Sequence, residues 1–213
     1  MMKAIDTEYN GNYFRSRIEA RWAVFFTALG IEYRYEPEGY DLGNGIWYLP
    51  DFWLPKQKIW IEIKGVEPSP EEEEKAGALS RQSGKMVYIL WGDIPHPEIL
   101  DGYYRPDPES GYAFFPDGGY DTQYWWCECS DCGTVGLEFN GRSDRLSCKE
   151  SYWLALKREN QLWRAFVDKD QLTDRHFHTG CPRHGGNLDK GYAYDAPRII
   201  AAYDMARKAR FGR

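Results

Sequence analysis

The 213 residues carry 42% hydrophobic and 16% aromatic side chains, enough for a packed core and too many for wholesale disorder. A formal charge of -6 argues against a general basic coat for nucleic acid and against nonspecific adhesion to anionic membranes, while leaving room for a local cleft. No run approaches about 18 consecutive apolar residues, and Met1-Met2-Lys3-Ala4-Ile5-Asp6 lacks the apolar segment of a secretory signal, so a cytoplasmic location without membrane association is expected.

Phe14, Ile18, Trp22, Phe25 and Leu29 recur at helical spacing, and Gly30 stands where a C-terminal cap belongs. Glu19 lies one residue off that apolar stripe, on the flank shared with Arg15 and Ala23. Two roles are open to it, and they are not exclusive. It faces the edge of whatever the helix covers, or it closes a Ser16-x-x-Glu19 capping box by bonding the Ser16 backbone N–H.

Ile31 to Glu36 alternates as a strand, and Gly43-Asn44-Gly45 is a tight-turn signal returning the chain into the next strand. Trp47 to Leu54 and Ile59 to Lys64 are β-branched and aromatic runs that predict two further strands. In the second run Trp60, Glu62 and Lys64 share one face, and Ile59, Ile61 and Ile63 the other. With residues 55–58 as the turn between antiparallel neighbours, Asp51 comes opposite or nearly opposite Glu62, at a cross-strand separation of about 4.5 to 5.5 Å. Two hard oxygen ligands then converge beside an ammonium group, as Mg²⁺ or Mn²⁺ requires. The plainer alternative is alternating charge on the solvent face of an ordinary strand.

Ser69-Pro70 followed by Glu71 to Glu74 supplies a cap, a first-position proline and acids at the positive end of the helix dipole. This predicts a helix to about Ser83, stopped by Gly84, with the acidic run read as a solvated first turn. Lys85 to Trp91 predicts a buried strand. The element order is αβββαβ. Residues 96–122, rich in Pro, Gly, Asp and Tyr, are expected to link a domain of residues 1–95 to a second, smaller α+β domain of residues 123–213.

That second domain holds two ligand pairs, Cys129-x-x-Cys132 and Cys181-x-x-His184, with zinc-knuckle spacing. Three thiolates and one imidazole suit tetrahedral Zn²⁺ in a structural site. The 48 residues between the pairs require an inserted helix, expected from about Tyr152 to Phe166, and Cys127 or Cys148 are alternative ligands. Ile199, Tyr203, Ala206 and Arg210 mark one side of a C-terminal helix, and the last sixteen residues carry five basic residues against Asp204. Basic groups there complement the helix dipole or grip phosphate.

Residues 13–92 resemble the PD-(D/E)XK nuclease superfamily, whose core is αβββαβ with an acid on the first helix. The residues that carry the likeness are Glu19, Pro50-Asp51 and Glu62-Ile63-Lys64. The spacing is also similar to that of phage junction-resolving endonucleases and of the nuclease subunit of some transposases. The resemblance implies a restriction-endonuclease-like mixed sheet flanked by helices and metal-dependent hydrolysis of DNA. It implies Asp51, Glu62 and the Ile63 carbonyl as ligands to Mg²⁺ or Mn²⁺, with Glu19 completing the set. Lys64 would orient or help deprotonate the attacking water, its own pKa depressed by a nearby cation. In the same family a polar residue of the second helix often reaches the site, here Arg81 or Gln82, and many members act as homodimers. The same fold also serves as a binding module without chemistry, or as a subunit that cuts only inside a recombination complex.

Overall fold

The computed structural model describes residues 6–43, 45–95, 99–100, 103–104, 111–122, 124–128, 135–139 and 196–212. In chain order the elements are β1 (Thr7–Tyr9), β2 (Asn12–Phe14), α1 (Arg17–Leu29), β3 (Arg34–Tyr35), β4 (Tyr40–Asp41), β5 (Trp47–Tyr48), β6 (Phe52–Leu54), β7 (Ile59–Lys64) and α2 (Pro70–Ser83). They continue with β8 (Met86–Trp91), β9 (Ile99–Leu100), β10 (Tyr103–Tyr104), β11 (Gly111–Phe114), β12 (Tyr120–Asp121), β13 (Tyr124–Glu128), β14 (Val135–Phe139) and α3 (Pro197–Lys208). The chain divides into two compact units, one of Met1–Pro97, Glu109–Thr122 and Ala201–Arg213, the other of Glu98–Pro108 and Gln123–Ile200.

Helices α1 and α2 start and stop where their local chemistry dictates. The Ser16 hydroxyl accepts the Glu19 N–H at 3.3 Å, and Gly30 closes α1 in the left-handed region at φ 67°. Ser69 and Glu72 form a reciprocal capping box at the head of α2, which ends at Gly84 with φ 64°. Each N-cap of this kind is worth about 1 kcal/mol. Left-handed φ favours glycine, which has no Cβ to clash.

A six-stranded sheet runs β12-β11-β8-β7-β6-β3. β7 and β8 are parallel, joined by α2 as crossover, and every other pair in it is antiparallel. The α2 face buries Trp60, Ala76, Leu79, Val87, Ile89 and Phe114 together with Tyr48. The opposite face is aromatic: Phe52 of β6 lies 5.4 Å from Phe26 of α1 and 5.4 Å from Tyr35, ring centre to ring centre. Strand alternation sorts the two, since Phe52 points to α1 while Trp53 stacks 4.7 Å from Trp60 on the α2 side. A mixed sheet flanked by helices is what the chain forms, with the β1–β2 hairpin ahead of α1 and the β4–β5 hairpin added between the helices.

Four local expectations change. The expected strand from Trp47 to Leu54 is two: Leu49-Pro50-Asp51 breaks it, β5 pairs with β4 in a separate hairpin, and β6 alone joins the sheet. The Gly43–Gly45 turn closes that hairpin, with Ile46 N–H donating to the Gly43 carbonyl at 3.0 Å, and so does not lead straight into the sheet. The expected strand from Ile31 to Glu36 shrinks to β3, because Glu36 turns out at φ 42° and gives its N–H to the Asp51 carbonyl at 2.8 Å. Residues 96–122 are not merely a linker, since β11 pairs with β8 and carries β12 at the sheet edge.

The C-terminal helix also departs from its expected company, for residues from Ala201 onward belong to the first unit. Tyr203 lies 4.5 Å from Phe25 and 6.3 Å from Trp22, and Arg207 donates to the Ile94 carbonyl at 2.8 Å. Arg207 thus anchors the helix to the core. Arg210 lies past the end of α3.

Gly111 is the tightest point of the sheet. A Cβ there would come within 2.1 Å of the Tyr88 hydroxyl and 2.5 Å of its ring carbon Cζ, and Tyr88 is itself buried. Gly111→Ala is expected to cost about 1 to 3 kcal/mol, as overpacking does. Urea denaturation checks it; an unchanged midpoint would refute this account of the β8–β11 contact.

In the second unit β9 pairs with β10, and β13 with β14, which sets Cys127 opposite Gly136. Tyr124, Trp126, Cys127, Val135 and Leu137 are buried. The expected helix from Tyr152 to Phe166, and Cys129, Cys132, Cys148, Cys181 and His184, lie outside the described residues. Among the described residues no helix is long and apolar enough to cross a membrane.

Candidate active site

Pro55 to Lys58 form the β6–β7 turn, with Lys58 at φ 57° donating its N–H to the Leu54 carbonyl at 2.8 Å. The ladder then pairs Leu54 with Ile59, Trp53 with Trp60 and Phe52 with Ile61. One step further, where the ladder ends, Asp51 stands against Glu62. Pro50 ends regular pairing there because it has no N–H to offer.

A cleft of about 500 Å³ opens at this point, lined by Glu19 of α1, Asp51, and Glu62, Ile63 and Lys64 of β7. Arg15, Tyr48, Glu72 and Lys75 complete much of its wall. Asp51 is 1% exposed and Glu62 4%, so both carboxylates are nearly stripped of water. Asp51 Oδ2 accepts the Ile63 backbone N–H at 2.7 Å, and Oδ1 accepts Arg15 Nη2 at 3.0 Å. Arg15 also pairs with Glu36. On β7, Lys64 Nζ lies 2.9 Å from Glu62 Oε1 and 3.0 Å from Glu72 Oε1.

Burial is the main force on the Asp51 carboxyl, followed by the charges of Glu62 and Glu19; together they hold its pKa well above the ordinary carboxylate value. The Ile63 N–H and Arg15 pull the other way and lose. Burial also raises Glu62 against the stabilising pull of Lys64. Burial lowers the affinity of Lys64 for its proton, but Glu62 and Glu72 outweigh it and leave the pKa raised. Without a cation beside it, two carboxylates grip this ammonium and keep it charged.

Of the two roles open to Glu19, the cleft-facing one is seen, while Arg15 N–H takes the place of the Ser16 N–H in the capping contact. Glu19 receives the Ser16 hydroxyl on Oε1 at 2.6 Å, and the Tyr35 hydroxyl at 2.6 Å and Arg15 N–H at 3.1 Å on Oε2. It therefore caps the helix entrance through Arg15 N–H, where a Ser16 N–H contact was expected, and lines the cleft as well. Its two oxygens are thus engaged by Ser16, Tyr35 and Arg15. Among the described residues no three His, Cys, Asp or Glu side chains are placed to hold one ion.

The donor chemistry nonetheless fits a hard cation at Asp51 and Glu62. Four carboxyl groups and three basic side chains line the cleft, one acid in excess, in a partly dry setting. Glu62 Oε2 is buried without a well-aligned hydrogen-bond partner, although the buried Tyr48 hydroxyl interacts with the same carboxylate. The Lys64 carbonyl accepts the Gly92 N–H on the β8 side at 3.0 Å. Successive strand carbonyls point to opposite sides, so the Ile63 carbonyl shares the open edge with its own N–H and Asp51.

Arg81 and Gln82 do not line the cleft; Gln82 donates to the Asp41 carbonyl at 3.0 Å. Glu72 occupies the place expected of them. Its signal was the Ser69-x-x-Glu72 capping pattern, which positions a carboxylate at the helix mouth. Arg15, Tyr35 and Tyr48 had no such signal. Tyr48 is buried against Glu62 and Asp51, and burial with those charges pushes its hydroxyl pKa well up, keeping it protonated. Of the residues expected as zinc ligands and their alternates only Cys127 is described, buried in β13 with its thiol donating to the Trp125 carbonyl at 3.4 Å. Comparison with family models, curated proteins and solved structures finds no match.

Proposed function

We propose that the chain is a metal-dependent endonuclease of the PD-(D/E)XK type, hydrolysing phosphodiester bonds in DNA. One observation carries the reading: Glu19, Asp51, Glu62, Ile63 and Lys64, from three separate stretches of chain, line a single cleft at the open end of the β6–β7 ladder. Asp51, Glu62 and the Ile63 carbonyl would hold Mg²⁺ or Mn²⁺. Such an ion neutralises charge on a phosphate and acidifies water. Lys64, kept as ammonium, orients the phosphate or the attacking water. Glu19 and Tyr35 hold the mouth of α1 in place, and Arg15 is a ready phosphate ligand once Asp51 no longer requires it.

A second reading rests on the same ion pairs. Arg15 and Lys64 already neutralise Asp51 and Glu62, as in a binding module that keeps the fold without the chemistry. Incubation of plasmid and branched DNA with Mg²⁺ or Mn²⁺ separates the two, comparing wild type, Asp51→Asn and Lys64→Ala. Metal-dependent cutting lost in both variants supports the nuclease; cutting that survives both rejects the site; binding without cutting leaves the module.

The zinc knuckle at Cys129, Cys132, Cys181 and His184 belongs to the same proposal, as a structural site whose four protein ligands leave no place for water. Elemental analysis of purified protein is expected to find one Zn²⁺ per chain. Less than about half an equivalent rejects it, given how tightly structural sites hold zinc.

A further inference from the structure

We infer that Trp47 is a stacking platform for an unpaired nucleobase, so that the cleft accepts DNA with single-stranded character beside the scissile phosphate. The inference rests on the nuclease reading of the cleft and names its substrate class. Trp47 lines that cleft and is 71% exposed, a large apolar ring left in water. Its exposure is built in: on a two-residue strand the side chains alternate, and Tyr48 is the one drawn into the core beside Trp60. The ladder pairs Asp41 with Trp47 and Tyr40 with Tyr48, and Tyr40 packs edge-on against Trp60 at 5.4 Å, so the hairpin is anchored through its inward residues. The Trp47 ring rests near Gly39, whose Cβ position lies 3.9 Å from Cε3, and Gly39 presents no side chain to cover it.

Leu49, 38% exposed, extends the apolar rim on the same stretch, and Arg15 and Lys75 bring positive charge to the same cleft. Arg15 is held by Asp51 and Glu36 and Lys75 by Glu71, so recognition falls to the exposed indole and its apolar shelf, with these cations on the same wall. Aromatic stacking beside basic groups is how single strands are gripped without sequence readout. A fully paired duplex hides its base faces and offers Trp47 nothing to stack on.

The test uses the full chain carrying Asp51→Asn, so that cutting does not consume the probe, and fluorescence anisotropy in Mg²⁺. The probes are a labelled flapped DNA and a fully paired duplex of equal length. Adding Trp47→Ala is expected to weaken flap binding about 5- to 150-fold, the equivalent of one stacked base, and to bring the flap-to-duplex ratio towards one. Trp47→Phe, which keeps an aromatic face, is expected to retain most of the preference. Circular dichroism establishes that each variant is folded. An unchanged ratio in Trp47→Ala overturns the inference, as does a Phe variant no better than Ala. Cleavage by wild type with no dependence on Trp47 sinks the platform alone; Trp47-dependent binding in a chain that never cuts supports the platform and sinks the nuclease reading alone.

Discussion

Asp51→Asn is expected to reduce cleavage roughly 10³-fold or more while leaving the fold intact. Asn keeps an oxygen for the Ile63 N–H but carries no charge to hold a divalent ion, and loss of about 4 kcal/mol of transition-state stabilisation corresponds to that factor. Stability is expected to move the other way near neutral pH. Burial beside Glu62 and Glu19 makes the Asp51 carboxylate costly, so its native pKa is raised. A carboxyl with a raised native pKa contributes fully below the unfolded carboxylate range, and that contribution is lost as pH rises through the native value. Asp51 should therefore contribute a loss of stability from acid towards neutral pH, a slope that is shallower in Asp51→Asn, where Glu62 remains, and the variant should match or exceed wild type at pH about 7.5.

A metal bound at the proposed site would reverse that penalty. Mn²⁺ is expected to raise the wild-type Tm near neutral pH, less in acid where protons compete for the same oxygens, and not at all in Asp51→Asn. Thermal scans with and without Mn²⁺ at two pH values read all three. A variant that cuts like wild type, or that takes the same shift from Mn²⁺, removes Asp51 from the site.

Phe52→Ala is expected to destabilise the first unit by about 3 to 5 kcal/mol, a large share of the roughly 5 to 15 kcal/mol typical of a folded domain. Phe52 is fully buried, and its ring lies 6.0 Å from Phe14, 5.4 Å from Phe26, 5.6 Å from Tyr33 and 5.4 Å from Tyr35. It is the residue next to Asp51, and Tyr35 is the hydroxyl that holds Glu19. Emptying the site therefore loosens the support of two cleft carboxylates together. Urea denaturation with circular dichroism measures the loss; a cost below about 1 kcal/mol would show that these rings do not form one packed unit.

The sequence alone determined what depends on neighbours a few residues apart. Ser16 and Gly30 bounded α1, Ser69-Pro70 and Gly84 bounded α2, and the turn from Pro55 to Lys58 set the register that brings Asp51 against Glu62. Those signals are caps, turns and periodicities, all local. Tertiary structure decided the rest: Arg15 on Asp51, Tyr35 on Glu19, Lys64 shared between Glu62 and Glu72, β11 added beside β8, and Tyr203 returned to Phe25. The Arg15–Asp51 and Tyr203–Phe25 partners are far apart along the chain, and nothing in local spacing encodes which distant side chain will meet a given carboxylate. Burial chose them, because a buried charge or an exposed ring is costly until packing brings it a partner.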